Sequence, residues 1–357
     1  MELKQALASA VDRLEAADVG SPRLNAEVLL MFVLGVNRAY LYAHPERELT
    51  GEEGTRYEEV LAQRATGMPS QYITGHQEFW GLDFVVSPAV LIPRPETEHL
   101  VEAVVELARD VPHPKLVDVG TGSGCVALSL AHELKSATVY AVDISATALE
   151  VARANAAGLQ LDGRVRFMQC DVLTPVQNAS NVIESDRADV SATERETSQE
   201  KETVQSESHQ PRSGVSDVSP GREPRVMHES MASRGAATGP NSNKPSLMGS
   251  PVAFENFDFV VSNPPYVGFD EADKVQKSVR DFEPRVAVFA GDRGLDVIGP
   301  LIAQAHQALK QGGWLAMEIG YSMRDAVVDL LSPTMWEDVR VIPDLQGIPR
   351  VVAGKKR

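Results

Sequence analysis

The sequence LVDVGTGSGCVALSLAHEL, residues 116–134, decides the fold of this chain. A short apolar run ends in a glycine-rich turn, and the turn leads into a segment with helical periodicity. Buried strand, tight turn and helix in this order are typical of a parallel α/β sheet. Glycines let the backbone turn sharply, and the free N–H groups at the start of the helix then face a ligand over the turn.

The same alternation continues downstream. Apolar strand patterns recur at TVYAVDI, VRFMQ, FDFVVS, WLAMEI, VRVIP and RVVAG, with helical patterns at 124–135, 146–157, 294–311 and 322–332. Strand and helix repetition of this kind predicts a mostly parallel sheet with helices on both faces. We therefore predict an α/β fold with a doubly wound, seven-stranded sheet.

Three further regions are predicted outside this repeat. Residues 1–70 carry apolar residues at helical spacing, such as Leu3, Leu7, Ala10 and Leu14, which indicates a small helical domain. We expect this domain to serve substrate recognition. Residues 71–94 are rich in β-branched and aromatic residues, so we predict a β-hairpin linker there. The main domain then covers 95–357 and begins with a helix whose first turn contains a proline.

An insertion interrupts the main domain at residues 176–252. These 77 residues contain no aromatic residue, one Ile and one Leu, so they cannot bury enough apolar surface to offset the entropy of ordering. We predict that the insertion is disordered. It carries 11 acidic and 8 basic residues, so only −3 of the net charge of −16 belongs to it.

The charge and the cysteine content limit the classes of function. A net charge of −16 argues against binding nucleic acid through a broad basic surface, because Lys and Arg supply most non-specific affinity for phosphate. Two cysteines are too few for a disulfide framework, and no apolar stretch reaches the ~18 residues of a membrane span. We expect a cytoplasmic protein with no membrane partner, no metal and no direct nucleic-acid substrate.

The glycine turn is the first candidate site, and it predicts a cofactor bound by the five residues Gly120, Thr121, Gly122, Ser123 and Gly124. Cys125 stands where a dinucleotide fingerprint has its third glycine, which favours another adenosine-containing ligand over a nicotinamide or flavin. A tight strand-to-helix turn without a ligand is the alternative.

Carboxylates after the next two strands extend this candidate site. Asp143 ends the strand TVYAVDI and is placed to accept hydrogen bonds from both hydroxyls of a ribose, although it or Ser145 could instead cap the next helix. Asp171 could accept from an adenine amino group, with Val172 packing on the ring, or it could be a loop aspartate without a role.

The motif Asn263-Pro264-Pro265-Tyr266 follows the buried strand FDFVVS. The prolines stiffen the backbone and remove two N–H donors, which leaves carbonyls and the asparagine side chain facing the crevice at the end of the strand. The Asn263 side-chain oxygen and the Pro264 carbonyl can each accept one hydrogen of a planar NH₂ group, and the Tyr266 ring can cover that group. A plain proline loop after a strand is the alternative.

These motifs together resemble the bacterial release-factor glutamine methyltransferases, the HemK or PrmC family. The resemblance rests on GTGSG, AVDIS, VSNPPYV and LIPRPETEHLVE, and it extends to SPRLNAEVLL, QYITGHQEFWGL, FEPRVAVFAGDRGLD and DLQGIPRVV. It implies a Rossmann-like class I methyltransferase fold and S-adenosylmethionine bound at the glycine turn, Asp143 and Asn263. It also implies that Asn263 to Tyr266 hold the glutamine of the GGQ loop of class 1 peptide chain release factors.

The chemistry of an amide acceptor narrows the expected mechanism. A carboxamide nitrogen is a poor nucleophile because its lone pair is delocalised, so we expect orientation and hydrogen-bond acceptors rather than a histidine base. His76 and Cys125 lack the third member of a nucleophilic triad. Arg94, Glu96 and Glu98 are candidates for contacting substrate or for holding the two regions together.

Three other functions are compatible with parts of the sequence. A related glutamine methyltransferase could act on a ribosomal protein. An amino methyltransferase for adenine or guanine in nucleic acid could use the same NPPY motif, although the acidic chain counts against it. A module without activity could use the helical region to hold a partner. The acceptor that receives a labelled methyl group distinguishes these alternatives.

Overall fold

The computed structural model describes residues 1–175 and 256–357. The insertion predicted at 176–252 lies outside the described residues. The helices are α1 Leu3–Ala16, α2 Pro22–Leu34, α3 Arg38–Ala43, α4 Gly51–Ala65, α5 Ser70–Thr74, α6 Glu98–Leu107, α7 Cys125–Glu133, α8 Ala146–Gly158, α9 Lys277–Phe282, α10 Arg285–Val288, α11 Ile298–Ala308 and α12 Arg324–Leu330. The strands are β1 His76–Phe79, β2 Leu82–Val85, β3 Lys115–Val119, β4 Thr138–Asp143, β5 Val165–Asp171, β6 Thr174–Pro175, β7 Phe257–Ser262, β8 Leu309–Glu318, β9 Trp336–Pro343 and β10 Pro349–Lys356.

The N-terminal helices α1 to α5 form a small core of their own. Leu3, Ala10 and Leu14 of α1 are buried in it, as the helical spacing predicts, and Leu7 packs against its edge. Thr50 begins α4 with a capping box, in which its side chain accepts from the Glu53 N–H. Burial of one apolar face, rather than helix propensity alone, stabilises these short helices.

A hairpin follows these helices within the predicted linker of 71–94. Strands β1 and β2 pair antiparallel, and the two turn residues Trp80 and Gly81 both have positive φ, which suits a two-residue hairpin turn. Pro95–Thr97 then forms one turn of 3₁₀ helix that leads directly into α6. The helix predicted to begin near Pro95 is therefore present, with a tighter first turn.

The central sheet has the order β6-β5-β4-β3-β7-β8-β10-β9. Strands β5, β4, β3, β7 and β8 are parallel, whereas β10 is antiparallel to both β8 and β9. The predicted seven-stranded, mostly parallel sheet is thus confirmed, and the two-residue strand β6 extends its edge.

Apolar residues of the sheet face two separate cores. Leu116 of β3 packs with α6 and α7 on one face, while Val117 and Val119 pack with α11 and α12 on the other. Successive side chains of a strand point to opposite faces, so a strand covered on both faces is buried and mostly apolar along its length. Strand β7 shows the same pattern, because all of its residues are buried.

None of the helices in 1–175 and 256–357 is long and apolar enough to cross a membrane. Within the same two ranges, no group of three or more His, Cys, Asp or Glu side chains is arranged to hold a metal ion.

Candidate active site

A cavity of about 290 Å³ lies where the parallel strands β3, β4, β5 and β7 end. Crevices at the carboxyl ends of strands are the usual ligand sites of open α/β sheets. The structure brings eight of the predicted site residues together in the wall of this cavity: Gly120, Gly122, Asp143, Asp171, Val172, Asn263, Pro264 and Pro265.

The glycine turn forms the floor of the cavity and ends at helix α7. Gly120 and Gly122 have φ of +74° and +56°, and a Cβ placed on either would meet no described atom within 4 Å. Gly124 also has positive φ, but there a Cβ would lie 3.0 Å from Leu128 Cδ1 and 3.2 Å from Ala152 Cβ. The first two glycines therefore leave room for a ligand, whereas Gly124 allows close packing of α7 on α8.

Alanine at these glycines should separate the two roles. Both Gly122→Ala and Gly124→Ala impose a positive φ on a residue with a Cβ, at a cost of about 1–2 kcal/mol. We expect Gly124→Ala to lower the melting temperature further because of overpacking. Gly122→Ala should instead weaken cofactor binding by at least about tenfold, because its methyl group occupies ligand space. Calorimetric titration and thermal unfolding of both variants measure these effects, and equal losses of affinity would contradict the assignment.

Thr121 and Ser123 lie in the same turn, but their side chains are buried away from the cavity. The Thr121 hydroxyl donates to Asp118 Oδ2 at 2.7 Å, and the Ala127 N–H donates to the same oxygen at 3.2 Å. These two predicted cofactor residues can therefore offer only their backbone to a ligand. The Thr121 side chain fastens the turn to Asp118 of strand β3, whereas the Ser123 hydroxyl is buried without a hydrogen-bond partner among the described atoms.

The buried carboxyl of Asp118 should make the stability of the protein depend on pH. Burial raises the pKa of Asp118 to about 7, against its usual value of 3.8. The neutral Asp118 carboxyl makes its full contribution to stability below the pKa that aspartate has in the unfolded chain. As the pH rises from there toward 7, the unfolded chain loses this proton while the folded protein keeps it, so the contribution is lost. We expect urea unfolding to show that Asp118→Asn gains roughly 2–3 kcal/mol relative to the unaltered protein between pH 5 and pH 8. Parallel pH dependences would contradict this expectation.

Asp143 ends strand β4 at the edge of the cavity and already binds two backbone groups. Its Oδ1 accepts from the Ser145 N–H at 2.8 Å, and its Oδ2 accepts from the Gly122 N–H at 2.9 Å. Ser145, not Asp143, caps α8, because the Ser145 side chain accepts from Ala148 N. A carboxylate offers about four lone pairs, so two remain for hydroxyls of a ligand. Burial raises the pKa of Asp143.

The predicted adenine contacts lie at the end of strand β5. Asp171 and Val172 both line the cavity, and so do apolar groups from two segments that the residue patterns did not single out. Val172 has a φ of +55°, an uncommon value for a β-branched residue. These apolar groups belong to Val90, Leu91, Val286 and Ala287.

Asn263 follows strand β7 and has a fixed side-chain orientation. Its Nδ2 donates to Thr97 Oγ1 at 3.0 Å, across the join between the sheet and the 3₁₀ turn before α6. Within 1–175 and 256–357, no hydrogen bond reaches the Asn263 side-chain oxygen. That oxygen is therefore available as an acceptor where Asn263 forms part of the cavity wall.

Tyr266, the last residue of the motif, lines a second and larger cleft. This cleft has a volume of about 1320 Å³ and lies between the N-terminal helices and the sheet domain. The Tyr266 hydroxyl donates to Glu318 Oε1 at 3.2 Å, and Glu318 is only 2% exposed. The four residues from Asn263 to Tyr266 thus contribute to the walls of two neighbouring cavities.

Of the side chains that line the larger cleft, the sequence analysis named Arg94 and Glu96 as candidates for contacting substrate or for holding the two regions together, and it missed most of the others. Arg94 forms an ion pair with the buried Glu283, which also accepts from the Ile92 N–H. Arg350 and Glu96 lie in the same wall. The segments LIPRPETE, FEPR and DLQGIPR carry these residues, but only their resemblance to a family, and no spacing rule, marks them.

Other candidates take structural roles. Glu98 accepts from the Trp80 N–H at 2.9 Å and so ties the hairpin to helix α6. His76 pairs with Asp83 across the hairpin, on the surface. Burial raises the pKa of Cys125 to about 12, which disfavours a nucleophilic thiolate.

These features fit S-adenosylmethionine. The open space over Gly120 and Gly122 suits a ligand that approaches the backbone closely. The remaining lone pairs of Asp143 match two ribose hydroxyls. Val172 and Val286 add apolar surface to the cavity wall, which suits packing against a ring. Apolar walls with a few convergent polar groups are typical of cofactor sites.

Comparisons with known proteins agree with this geometry. A family model described as the PrmC N-terminal domain matches residues 5–75, and one described as a methyltransferase domain matches residues 111–202. Fold and site together define an S-adenosylmethionine-dependent methyltransferase of the Rossmann-like class.

Curated relatives identify the family. The release factor glutamine methyltransferase of Koribacter versatilis is 46% identical over 356 residues, which cover 100% of this chain and 99% of that protein. The protein of the same description from Moorella thermoacetica is 35% identical over 358 residues, with coverage of 100% and 99%. The chain belongs to the release factor glutamine methyltransferase family.

Solved structures with lower sequence identity also match. The hMettl16 catalytic domain in complex with MAT2A 3'UTR hairpin 6 has a TM-score of 0.46 at 14% identity, covering 84% of this chain and 81% of that chain. TrmN from Thermus thermophilus has a TM-score of 0.38 at 16% identity, covering 93% and 78%.

Proposed function

We propose that this chain transfers the methyl group of S-adenosylmethionine to the side-chain amide nitrogen of the glutamine in the GGQ loop of class 1 release factors, and so modulates translation termination. The observation that carries the proposal is the orientation of Asn263, whose NH₂ group is bound by Thr97 while its oxygen remains available at the cavity. The names of the full-length relatives, release factor glutamine methyltransferase, support the same acceptor.

The residues of the NPPY motif would orient the acceptor. Bound S-adenosylmethionine supplies an electrophilic methyl group on a sulfonium sulfur. The Asn263 oxygen and the Pro264 carbonyl each accept one hydrogen of the glutamine NH₂, which aims the nitrogen and stabilises the positive charge that grows on it. Tyr266 covers the planar amide, and the proton leaves to water after transfer.

The two neighbouring cavities give the two ligands separate approaches. The cofactor would occupy the smaller cavity over the glycine turn, and a protein loop would enter the larger cleft, where Tyr266 lies. Arg64, Arg94 and Arg350 line that cleft together with Glu96 and carboxylates from other segments, so its wall is polar rather than broadly basic. Such a wall suits a polar protein loop better than a nucleic-acid backbone.

A labelling experiment tests the proposed function. The protein is incubated with methyl-labelled S-adenosylmethionine and, in separate reactions, a purified release factor, a release factor with the GGQ glutamine replaced by alanine, ribosomal proteins, or total RNA and DNA. We expect label on the first acceptor alone, and mass spectrometry should place it on the GGQ glutamine. Label on the alanine variant, on ribosomal protein or on nucleic acid alone would refute the assignment.

We further propose that the protein works in the cytoplasm, where release factors act in translation. Its two cysteines, one buried and one half-buried, are both free thiols. Free thiols are typical of reducing compartments. Cell fractionation with detection of the native protein tests this, and recovery in the membrane or secreted fraction would contradict it.

A further inference from the structure

A line of polar side chains runs from Asn263, in the wall of the cofactor cavity, into the protein behind the NPPY motif. Thr97 comes from the 3₁₀ turn before α6, Asn263 and Tyr266 follow β7, and Glu318 ends β8. Asn263 Nδ2 donates to Thr97 Oγ1 at 3.0 Å, and the Tyr266 hydroxyl donates to Glu318 Oε1 at 3.2 Å. Thr97 and Glu318 are each 2% exposed, so water does not replace these contacts easily.

The chemistry of these groups sets the direction of each hydrogen bond. The Thr97 oxygen accepts from Asn263, so the single proton of its hydroxyl is left for another acceptor. Burial raises the pKa of Glu318, and side-chain hydrogen bonds from Thr97 and Tyr266 lower it. A donor to the ionised form has that effect on a carboxyl group. Glu318 Oε2 is buried without a hydrogen-bond partner among the described atoms, so it is the acceptor that we assign to the Thr97 proton, which leaves the Thr97 oxygen facing Asn263 as an acceptor.

An acceptor at this position decides which way the Asn263 carboxamide turns. The amide oxygen and nitrogen of asparagine are nearly equal in size, and only hydrogen-bond partners distinguish the two orientations. With an acceptor behind it, Asn263 turns its NH₂ inward and its oxygen toward the ligand. In the opposite orientation an NH₂ group would face the NH₂ of a substrate, and two donors cannot form a hydrogen bond.

We propose that Thr97, backed by Glu318, is a positioning residue that holds the Asn263 carboxamide with its oxygen toward the acceptor nitrogen. The proposal rests on the proposed function, since it assumes an amide NH₂ as the group that Asn263 receives. It gives a role to the threonine of the segment RPETE, which touches neither the cofactor cavity nor the larger cleft.

Paired substitutions at Thr97 test the role of its hydroxyl. Thr97→Val keeps the shape and removes the hydroxyl, so we expect kcat for release-factor methylation to fall by about 10- to 30-fold. The Kd of S-adenosylmethionine and the KM for release factor should change less than about threefold. Thr97→Ser restores the hydroxyl and should recover most of kcat. Thr50→Val, at the cap of the remote helix α4, is the matched control and should change stability but not kcat.

A double-mutant cycle tests the link to Glu318. Glu318→Gln replaces one carboxyl oxygen with NH₂, and when that NH₂ faces Thr97 the threonine proton turns toward Asn263 and the preferred orientation of the Asn263 carboxamide reverses. We expect Glu318→Gln to lower kcat by itself and to add little to Thr97→Val, because both changes act on one network.

The possible outcomes separate this inference from the proposed function. Methylation of release factor by the unaltered protein in the same assay tests the proposed function, and the ratios between variants test the role of Thr97. An unchanged kcat in Thr97→Val, equal loss in Thr97→Ser, or independent effects of the two sites would overturn the inference. A Thr97→Val variant that lowers only the melting temperature would overturn the inference as well, because that result would indicate a packing role for Thr97.

Discussion

Replacing Asn263 with alanine is expected to lower kcat for release-factor methylation by about 10²-fold or more, with a much smaller effect on the Kd of S-adenosylmethionine. The substitution removes an acceptor that the proposed mechanism uses most strongly in the transition state. As the methyl group arrives, the nitrogen gains positive charge, and the Asn263 oxygen then binds its hydrogen more tightly than in the ground state. An interaction that strengthens in this way affects kcat rather than binding.

The measurement combines steady-state kinetics with calorimetric titration of the cofactor. Asn37→Ala is the matched control, because Asn37 caps the remote helix α3 by accepting from the Tyr40 N–H at 2.9 Å. That variant should lose about 1 kcal/mol of stability and keep its kcat. If Asn263→Ala instead weakened cofactor binding by the same factor as kcat, Asn263 would be a cofactor ligand and not an acceptor for the substrate amide.

The sequence predicted the sheet well where strands are apolar on both faces. Strand β7 begins and ends where its pattern predicted, because every residue from Phe257 to Ser262 is buried. Strand β8 was predicted from residue 314 but begins at Leu309, which pairs with Phe257 across the sheet. Its early part contains two glycines and exposed polar residues, which carry no alternating pattern, so only the long-range pairing reveals it.

The sequence also located the parts of the site that follow strands directly. Asp143 and Asn263 were found because the ends of parallel strands meet at one edge of the sheet. Thr121 and Ser123 were grouped with the glycines by adjacency alone, and the structure turns their side chains into the protein. Adjacency in a tight turn does not fix side-chain direction, since successive residues of such a turn point to different sides.

Thr97 and Glu318 were missed for a different reason. They are separated from Asn263 by 166 and 55 residues, so no local spacing relates them. A buried threonine or glutamate resembles any other polar residue until its partner is known. The sequence can predict which groups face a ligand, but the residues that orient those groups come together only through tertiary packing.

Asp143→Asn is expected to raise the Kd of S-adenosylmethionine by about 10²-fold. The substitution loses or weakens two hydrogen bonds from the ribose to a charged acceptor, and each such bond contributes about 1.5–3 kcal/mol. In the described structure each carboxylate oxygen already accepts one backbone N–H, from Ser145 and from Gly122. An asparagine must turn its NH₂ group toward one of those donors. The variant therefore loses an acceptor for the ribose and also loosens the glycine turn on which the cofactor lies.

The pH dependence of binding distinguishes loss of the carboxylate from general damage to the site. Burial raises the pKa of Asp143, so this carboxylate takes up a proton at a higher pH than an ordinary aspartate does. The cofactor affinity of the unaltered protein should therefore fall as the pH is lowered through that range. Asp143→Asn has no such proton to gain, so its weaker affinity should vary less with pH. Asp338→Asn, on the exposed strand β9, is the control for loss of one negative charge. Equal pH profiles in the unaltered protein and Asp143→Asn would show that another group controls cofactor binding, and the carboxylate would then not be the ribose acceptor.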